Sequence, residues 1–365
     1  MKLSHLLKGN ELLLSSIFCV VIVSASFGQE LPAIDPLAKW GPPAKSVAKV
    51  VPPVRTECPK EIAAAPRIAF VPNEAEGRLS IRVDGAEALV YRYGVPNELS
   101  MPCFYPVWSP SGKALTEAGR VFPWPHHQSF WFINDVQLEG KEISKLYYSV
   151  YDRSNPNDPN SPFLNAAIHA GFLPEKQIAP NQAEIGMKQL WRMHPDTPLA
   201  DQEQRVRVVA LGGGEYFLDI HYKVTASYGK LTMRDDGIHY SWPLIRMQEA
   251  FSAAKGAKVT NSEGGETIFG HHDQVAHWVD TSNTVGGITE GLAIFSHSQN
   301  PYPHTWFIHK QGMFGPRRID AQNGKAFALG KGESLETRVG VLIHKGDAAS
   351  GKVAERYADY IAGKL

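Results

Sequence analysis

The chain has 365 residues, with 37 Lys+Arg against 37 Asp+Glu, so its formal net charge is zero, and 43% of it is hydrophobic. That is enough apolar material for one large β domain or two ordinary ones. No basic run or acidic tail stands out, which excludes nucleic acid and anionic membrane as main partners, because phosphate binding needs concentrated Lys and Arg.

The first 28 residues read as a cleaved secretory signal. Lys2 and Lys8 supply positive charge, residues 12–25 are mostly apolar, and Ser26 and Gly28 are the small residues expected just before a cut ahead of Gln29. The apolar stretch is shorter than the roughly 20 residues that span a bilayer. An uncleaved N-terminal anchor is the alternative. The expected location is the periplasm or the exterior, with no membrane contact after cleavage. Cys58 and Cys103 remain in the mature chain. In an oxidising compartment they could pair, but sequence does not show whether their Cα atoms approach within the roughly 7 Å a disulfide needs.

Residues 29–65 are rich in Pro, Ala and Lys and read as an extended linker, or a strap lying on the domain. From residue 67 the apolar period becomes two. Strands are predicted over 67–71, 78–83, 88–93 and 104–108, with Asn-, Asp- and Gly-containing turns between them. Phe130-Trp131-Phe132 reads as a buried strand, and 146–151 as a further one. The stretch 152–163 carries three Asn and three Pro and is a loop, of the length that is functional or disordered more often than structural. Strands resume over 168–172, 184–191, 202–210 and 216–227. Gly212-Gly213-Gly214 between the last two is a hairpin turn, since no Gly-Lys-Ser/Thr and no helix start follows. In 217–223, Phe217, Asp219, His221 and Lys223 share one face, as in a half-solvated antiparallel sheet. Further runs are 238–247, 258–261, 275–279, 291–296, 306–309 and 334–343. Residues 350–363 form the one helix, with Val353, Tyr357 and Ile361 every four residues. Roughly fifteen to twenty short strands and a C-terminal helix describe a large all-β antiparallel sandwich, with the sandwich over 66–345 and the helical tail over 346–365.

Fourteen histidines are present, and most gather at 126/127, 271/272/277 and 297/304/309, beside loops. Imidazoles of this number suit a metal, yet no His-x-His, His-x-x-x-His or His-Glu-x-x-His occurs, so no metal ligands are assigned and no cofactor is expected. Acid–base chemistry is the other use, since imidazole titrates near neutrality and a carboxyl group in a cleft can be tuned to meet it. His126, His127, Glu263 and His297 are the candidate catalytic groups. Asp135 and Asp273 lie beside histidines and could orient them. Trp124 and Trp306 are candidate platforms for a sugar ring, or core. No nucleophile elbow and no dinucleotide fingerprint is present.

The run Pro102-Cys103-Phe104-Tyr105-Pro106-Val107, then Pro123-Trp124-Pro125-His126-His127-Gln128-Ser129-Phe130-Trp131-Phe132, resembles the Pro-His-His-Arg-Gly-Leu-Trp-Phe block of a family of secreted bacterial proteins labelled methane oxygenase PmoA-like. Asn261-Ser262-Glu263-Gly264, His277-Trp278-Val279-Asp280, Gly291-Leu292-Ala293-Ile294-Phe295, Asn300-Pro301 and Pro303-His304-Thr305-Trp306 agree with its later blocks. The resemblance runs over roughly 75–345 and implies a secreted β-sandwich similar to the galactose-mutarotase-like supersandwich of aldose epimerases, where a His and a carboxylate work on a sugar. Two departures stand out. The basic residue after the His pair is Gln128 here, and an Arg near the Trp306 block is replaced by His309 or Lys310, which implies a less charged substrate.

Three readings follow. The first is a carbohydrate-active protein of epimerase, lyase or hydrolase type, with His126, His127, Glu263 and His297 around the cleft and Asn300, Trp306, His309 and Trp124 positioning a small-molecule or oligosaccharide ligand. The second is a sugar-binding module without turnover. The third is a His-ligated metal oxidoreductase. An enzyme predicts a His–carboxylate pair within hydrogen-bond reach in a cleft. A binding module predicts exposed flat aromatics without such a pair. A metal site predicts three or more ligand atoms about 2.0–2.2 Å from one point.

Overall fold

The computed structural model describes residues 52–59, 67–118, 126–234, 241–264, 274–301, 304–318 and 326–365. β1 (Ile68–Asn73), β2 (Arg78–Val83), β3 (Ala86–Arg92) and β4 (Cys103–Val107) form a four-stranded sheet in that order. β5 (Phe130–Trp131), β6 (Val136–Leu138) and β7 (Ile143–Ser144) are short pieces. Then come the long antiparallel strands β8 (Asn165–Ala179), β9 (Gln182–Met193), β10 (Thr197–Gly212) and β11 (Glu215–Thr225). β12 (Leu231–Met233), β13 (Leu244–Arg246), β14 (Lys258–Asn261), β15 (Trp278–Val285), β16 (Ile288–Ser296), β17 (His304–His309), β18 (Met313–Arg318), β19 (Phe327–Leu329) and β20 (Ser334–Lys345) follow, and α1 (Val353–Ile361) is the one α-helix among the described residues. No helix among these residues is long and apolar enough to cross a membrane.

The spine is an eight-stranded sheet in the order β14-β15-β16-β20-β11-β10-β9-β8. The shorter strands make two more four-stranded sheets, β19-β12-β6-β7 and β17-β18-β13-β5. One face of the spine carries Met187, Val206, Val208, Leu218, Ile220, Val339 and Val341, which join Leu79, Leu89, Phe130, Leu231, Ile245 and Trp306 of the other sheets in one continuous core. The all-β antiparallel sandwich with a C-terminal helix is therefore what the chain forms. Period-two alternation produces it, because each long strand sends every second side chain into that core.

The opposite face of the spine is graded along its strands. Val209, Phe217 and Leu342 are paired across β10, β11 and β20, and Ala293 of β16 extends the row. This row is apolar, and α1 covers it with Val353 and Tyr360. One pleat further on, the row reads Arg207, Asp219 and Gly340, then Arg205, His221 and Arg338, then Glu203, Lys223 and Glu336. The helix stops where the charges begin.

Three local expectations need correction. The run 146–151 is not a strand. The Tyr147 N–H donates to the Asp135 carboxylate at 2.8 Å, and a 3-10 turn follows over Ser149–Tyr151, so a tertiary bond takes the amide that a ladder would use. β15 begins at Trp278, three residues later than expected, and β8 runs beyond 172 through Pro174. Pro174 is tolerated because β8 is the sheet's edge strand and its register shifts between Leu173 and Lys176. The triple-glycine hairpin is as expected, with φ of +93°, +60° and +86° at Gly212, Gly213 and Gly214, a backbone that L side chains rarely adopt. Within the described part of the strap, Val54 bridges to Lys113 and the Arg55 guanidinium donates to the Glu87 carbonyl at 2.6 Å.

Candidate functional site

The graded face ends in an open cleft of about 420 Å³. Its floor is the three charged rows just described, and the 299–301 loop forms one wall. Asp219 is its buried anchor. Arg338 grips the carboxylate with Nε at 2.8 Å from Oδ1 and an Nη at 2.6 Å from Oδ2, Arg207 donates to Oδ2 at 3.0 Å, and the Tyr360 hydroxyl donates at 3.0 Å. Burial alone would raise the Asp219 carboxyl, but the Arg338 and Arg207 guanidinia outweigh it and hold the group below its ordinary range. Gly340 makes the arrangement possible. A Cβ there would lie 2.6 Å from the Phe217 ring and 3.1 Å from that of Tyr360, so only glycine lets the tyrosine reach over β20.

Two pleats out, His221 Nε2 lies 3.1 Å from Glu336 Oε2, and Lys223 Nζ lies 3.1 Å from the other oxygen. Lys223 first, then His221, keeps the Glu336 carboxyl below its ordinary value. An ionised carboxylate only accepts, so Glu336 takes its hydrogen bond from the His221 Nε2–H. Arg205 sits opposite, between Glu203 at 2.8 Å and Glu184 at 3.5 Å. The cleft thus alternates planar donors and acceptors, which suits a ligand made of adjacent hydroxyls.

Of the expected residues, Asn300 lines this cleft and His297 lies near it, outside its lining. His297 packs edge-on against Tyr360 at 5.0 Å between centroids, and burial, with the nearby Arg338 charge, lowers its pKa. Asn300 lines the cleft, but its amide is committed on both sides, donating to the Arg338 carbonyl and accepting from the Arg338 N–H at 2.8 Å each. It is a clamp on the wall.

The other expected residues lie elsewhere. His126 and His127 stand together, ring centroids 4.4 Å apart, in an aromatic nest. His126 Nδ1 is 2.8 Å from the Tyr151 hydroxyl, Tyr147 and Tyr148 flank the ring, and His127 stacks near Trp131. The 3-10 turn places these tyrosines around one imidazole, which an extended strand would not do. Glu263 is exposed in the turn after β14, where its carboxylate accepts from the Ser262 hydroxyl at 2.7 Å. Among the described residues no hydrogen bond or ion pair joins it to the histidine pair or to His297. Trp306 is fully buried and its indole N–H donates to the Ala276 carbonyl at 2.9 Å, so no ring face is left for a sugar. His309 is exposed at the end of β17. Trp124, His271, His272 and Asp273 lie outside the described residues. Asp135 accepts from the Tyr147 amide. Cys58 is exposed and Cys103 buried, with no disulfide between them, and burial pushes the Cys103 thiol up to about 11. Among the described residues no three His, Cys, Asp or Glu side chains converge as a metal site would require.

His221, Glu336, Asp219 and Arg338 were not singled out by motif. The signal that finds them is strand pattern. The alternation in 217–223 puts Asp219, His221 and Lys223 on one face, and Glu336 and Arg338 alternate in the same way on β20. Only the pairing of these two strands, more than a hundred residues apart, joins the faces.

Solved structures share low-level likeness. A GH36 α-galactosidase from Geobacillus stearothermophilus aligns at 10% identity over 76% of this chain with a TM-score of 0.43, and this chain spans only 41% of that protein's length. A galactose 1-epimerase from Lactobacillus acidophilus aligns at 8% identity over 77% of this chain and 99% of its own, with a TM-score of 0.34. A galactose mutarotase-like protein from Lactobacillus casei gives 11% identity, 76% and 100% coverage and a TM-score of 0.29. At this depth they say nothing about the ligand of this chain. No curated protein sequence matches it. Residues 78–358 match one family, and the chain accordingly belongs to DUF6807, a family of unknown function.

Proposed function

We propose that the protein binds a carbohydrate in the outer-face cleft and moves a proton on it, with His221 as the acid–base group and Glu336 holding its tautomer. The observation that carries this reading is the 3.1 Å contact between His221 Nε2 and Glu336 Oε2 in an open cleft. A positioned general base of this kind contributes about 10²–10⁴-fold to a rate, and the Asp219–Arg338–Arg207 network supplies fixed polar groups for hydroxyls. The reaction class is proton transfer in an epimerase, lyase or hydrolase type of chemistry, and binding without turnover is the competing outcome. A glycan library screened for both binding and turnover tests the proposal. Glu336→Gln should retain binding and lose about 10²-fold or more in turnover. Binding that neither Glu336→Gln nor His221→Ala alters would place the ligand elsewhere.

The second reading uses the His126–Tyr151 pair, whose 2.8 Å contact joins two groups able to pass a proton. Tyr151→Phe would abolish turnover under this reading and spare it under the first. The resemblance to the PmoA-like proteins adds a His-ligated metal oxidoreductase, which elemental analysis before and after chelation tests. A stoichiometric transition metal lost in His126→Ala would favour it. We place the protein in the periplasm or outside the cell on the strength of its leader, and N-terminal sequencing of the mature chain should begin at Gln29.

A further inference from the structure

A second cavity of about 350 Å³ lies against β8 and β9, lined by Tyr93, Asn97, Phe163, Ile168, His169 and Arg192 among others. It shares no residue with the carbohydrate cleft. Tyr93, Phe163 and His169 bring rings to an otherwise mostly aliphatic lining. The His169 ring lies 4.4 Å from that of Tyr93 and 4.4 Å from that of Phe172. Burial lowers the His169 pKa to about 4, so the imidazole is uncharged near neutrality. Val95 and Ile168, 41% and 39% exposed, leave an apolar rim.

The walls are built before any ligand arrives. In the loop after β3, Gly94 and Asn97 take φ of +72° and +66°, and the Val95 N–H donates to the Glu98 carboxylate at 3.2 Å. The facing wall includes Phe163, at the end of the Asn- and Pro-rich loop 152–163. Arg153 lies over the Phe163 ring at 3.8 Å and donates to the Asn97 carbonyl at 3.2 Å and the Ser161 carbonyl at 2.6 Å, so one guanidinium ties both loops together. A preorganised cup of this kind loses little entropy on binding.

Two polar groups in the lining have no bond to give up. Arg192 Nη1 and the Tyr93 hydroxyl are enclosed by protein, and neither has a hydrogen-bond partner among the described residues. A guanidinium matches a planar carboxylate with two parallel donors, and the aromatic wall matches a ring. We propose that the cup binds a small ring bearing a carboxylate, with the ring against Tyr93 and His169 and the carboxylate on the Arg192 guanidinium, whose Nη1 has no hydrogen bond to give up among the described residues. The Asp196 carboxylate offsets part of the guanidinium charge; a carboxylate in the cup adds to that, a neutral ring does not, and a cationic one is repelled. Such a ring is either a sugar acid or an aromatic acid.

Isothermal titration of the mature chain with sodium D-glucuronate, sodium benzoate and D-glucose tests this. At least one carboxylate should bind, glucose should bind about tenfold or more weakly, and Arg192→Met should weaken the carboxylate by about tenfold or more. Glucuronate alone identifies a sugar-acid site, and benzoate alone an aromatic-acid site. Ile168→Trp, a substitution at an exposed rim position, should block the cup while leaving the unfolding temperature near wild type, and it decides the question if Arg192→Met does not fold. Binding of neither carboxylate, glucose binding as tight as the carboxylates, or affinity untouched by both variants would overturn the proposal.

Discussion

Asp219 sets the character of the cleft because it is the only buried carboxylate there among the described residues and three donors converge on it. Asp219→Asn leaves Arg207 and Arg338 without their counter-charge. Because Arg338 is 36% exposed and Arg207 17% exposed, solvent absorbs part of the loss. The expected cost is about 1–3 kcal/mol, read as a lower unfolding temperature. A second carboxylate works differently. His344 Nε2 is 2.7 Å from Asp280 Oδ2, and both side chains are buried. Burial opposes the charged imidazole, but the Asp280 carboxylate prevails and raises the His344 pKa above its ordinary value of 6.5. The folded state therefore holds that proton more tightly than the unfolded chain. The pair stabilises fully below pH 6.5, and its contribution disappears as pH rises through the raised folded value. Thermal unfolding across pH should show a gap between wild type and His344→Gln that is widest in mild acid and narrows in mild alkali. A gap independent of pH would contradict a charged pair.

At the scale of elements, α1 and β20 are coupled through Gly340. The glycine admits Tyr360, and Tyr360 joins the helix to Asp219 on β11. Gly340→Ala puts a methyl group against the Phe217 and Tyr360 rings. Overpacking of this kind costs about 1–3 kcal/mol, and hydrogen exchange should speed up in Val353–Ile361 first. Unchanged exchange there would mean that the helix docks without this contact. The long strands were legible in the sequence because their period-two alternation is local. β9, β10, β11, β16 and β20 coincide with predicted runs over most of their length, and β8 with one over its first half only. β6, β7, β12, β18 and β19 were not legible. Each is short, two to six residues, and β12 pairs with β6 and β19 from distant parts of the chain. The tyrosine turn at 146–151 misled for the opposite reason: its composition favours a strand, and one side-chain bond from Asp135 overrides it.

At the scale of the molecule, the spine separates two kinds of chemistry. Its inner face supplies the continuous core, and its outer face runs from an apolar seat for α1 to a charged cleft. Histidine clustering in the sequence directed attention to loops, and it located the His126–His127 nest and His297. It missed His221, a single histidine inside a strand whose partner Glu336 is 115 residues later. Sequence spacing records neighbours along the chain, and an antiparallel sheet makes neighbours across it. The same limit applies to Glu263 and Trp306, whose motif context was suggestive but whose surroundings are a solvated turn and a closed core. The most direct measurement is a crystal structure of the mature protein with the tightest-binding sugar from the glycan screen. The sugar should lie across β11 and β20, with a hydroxyl or ring carbon within reach of His221 and its other hydroxyls on Arg338, Arg205 or Glu336. Density against His126 and Tyr151 instead, with the outer-face cleft empty, would contradict the assignment.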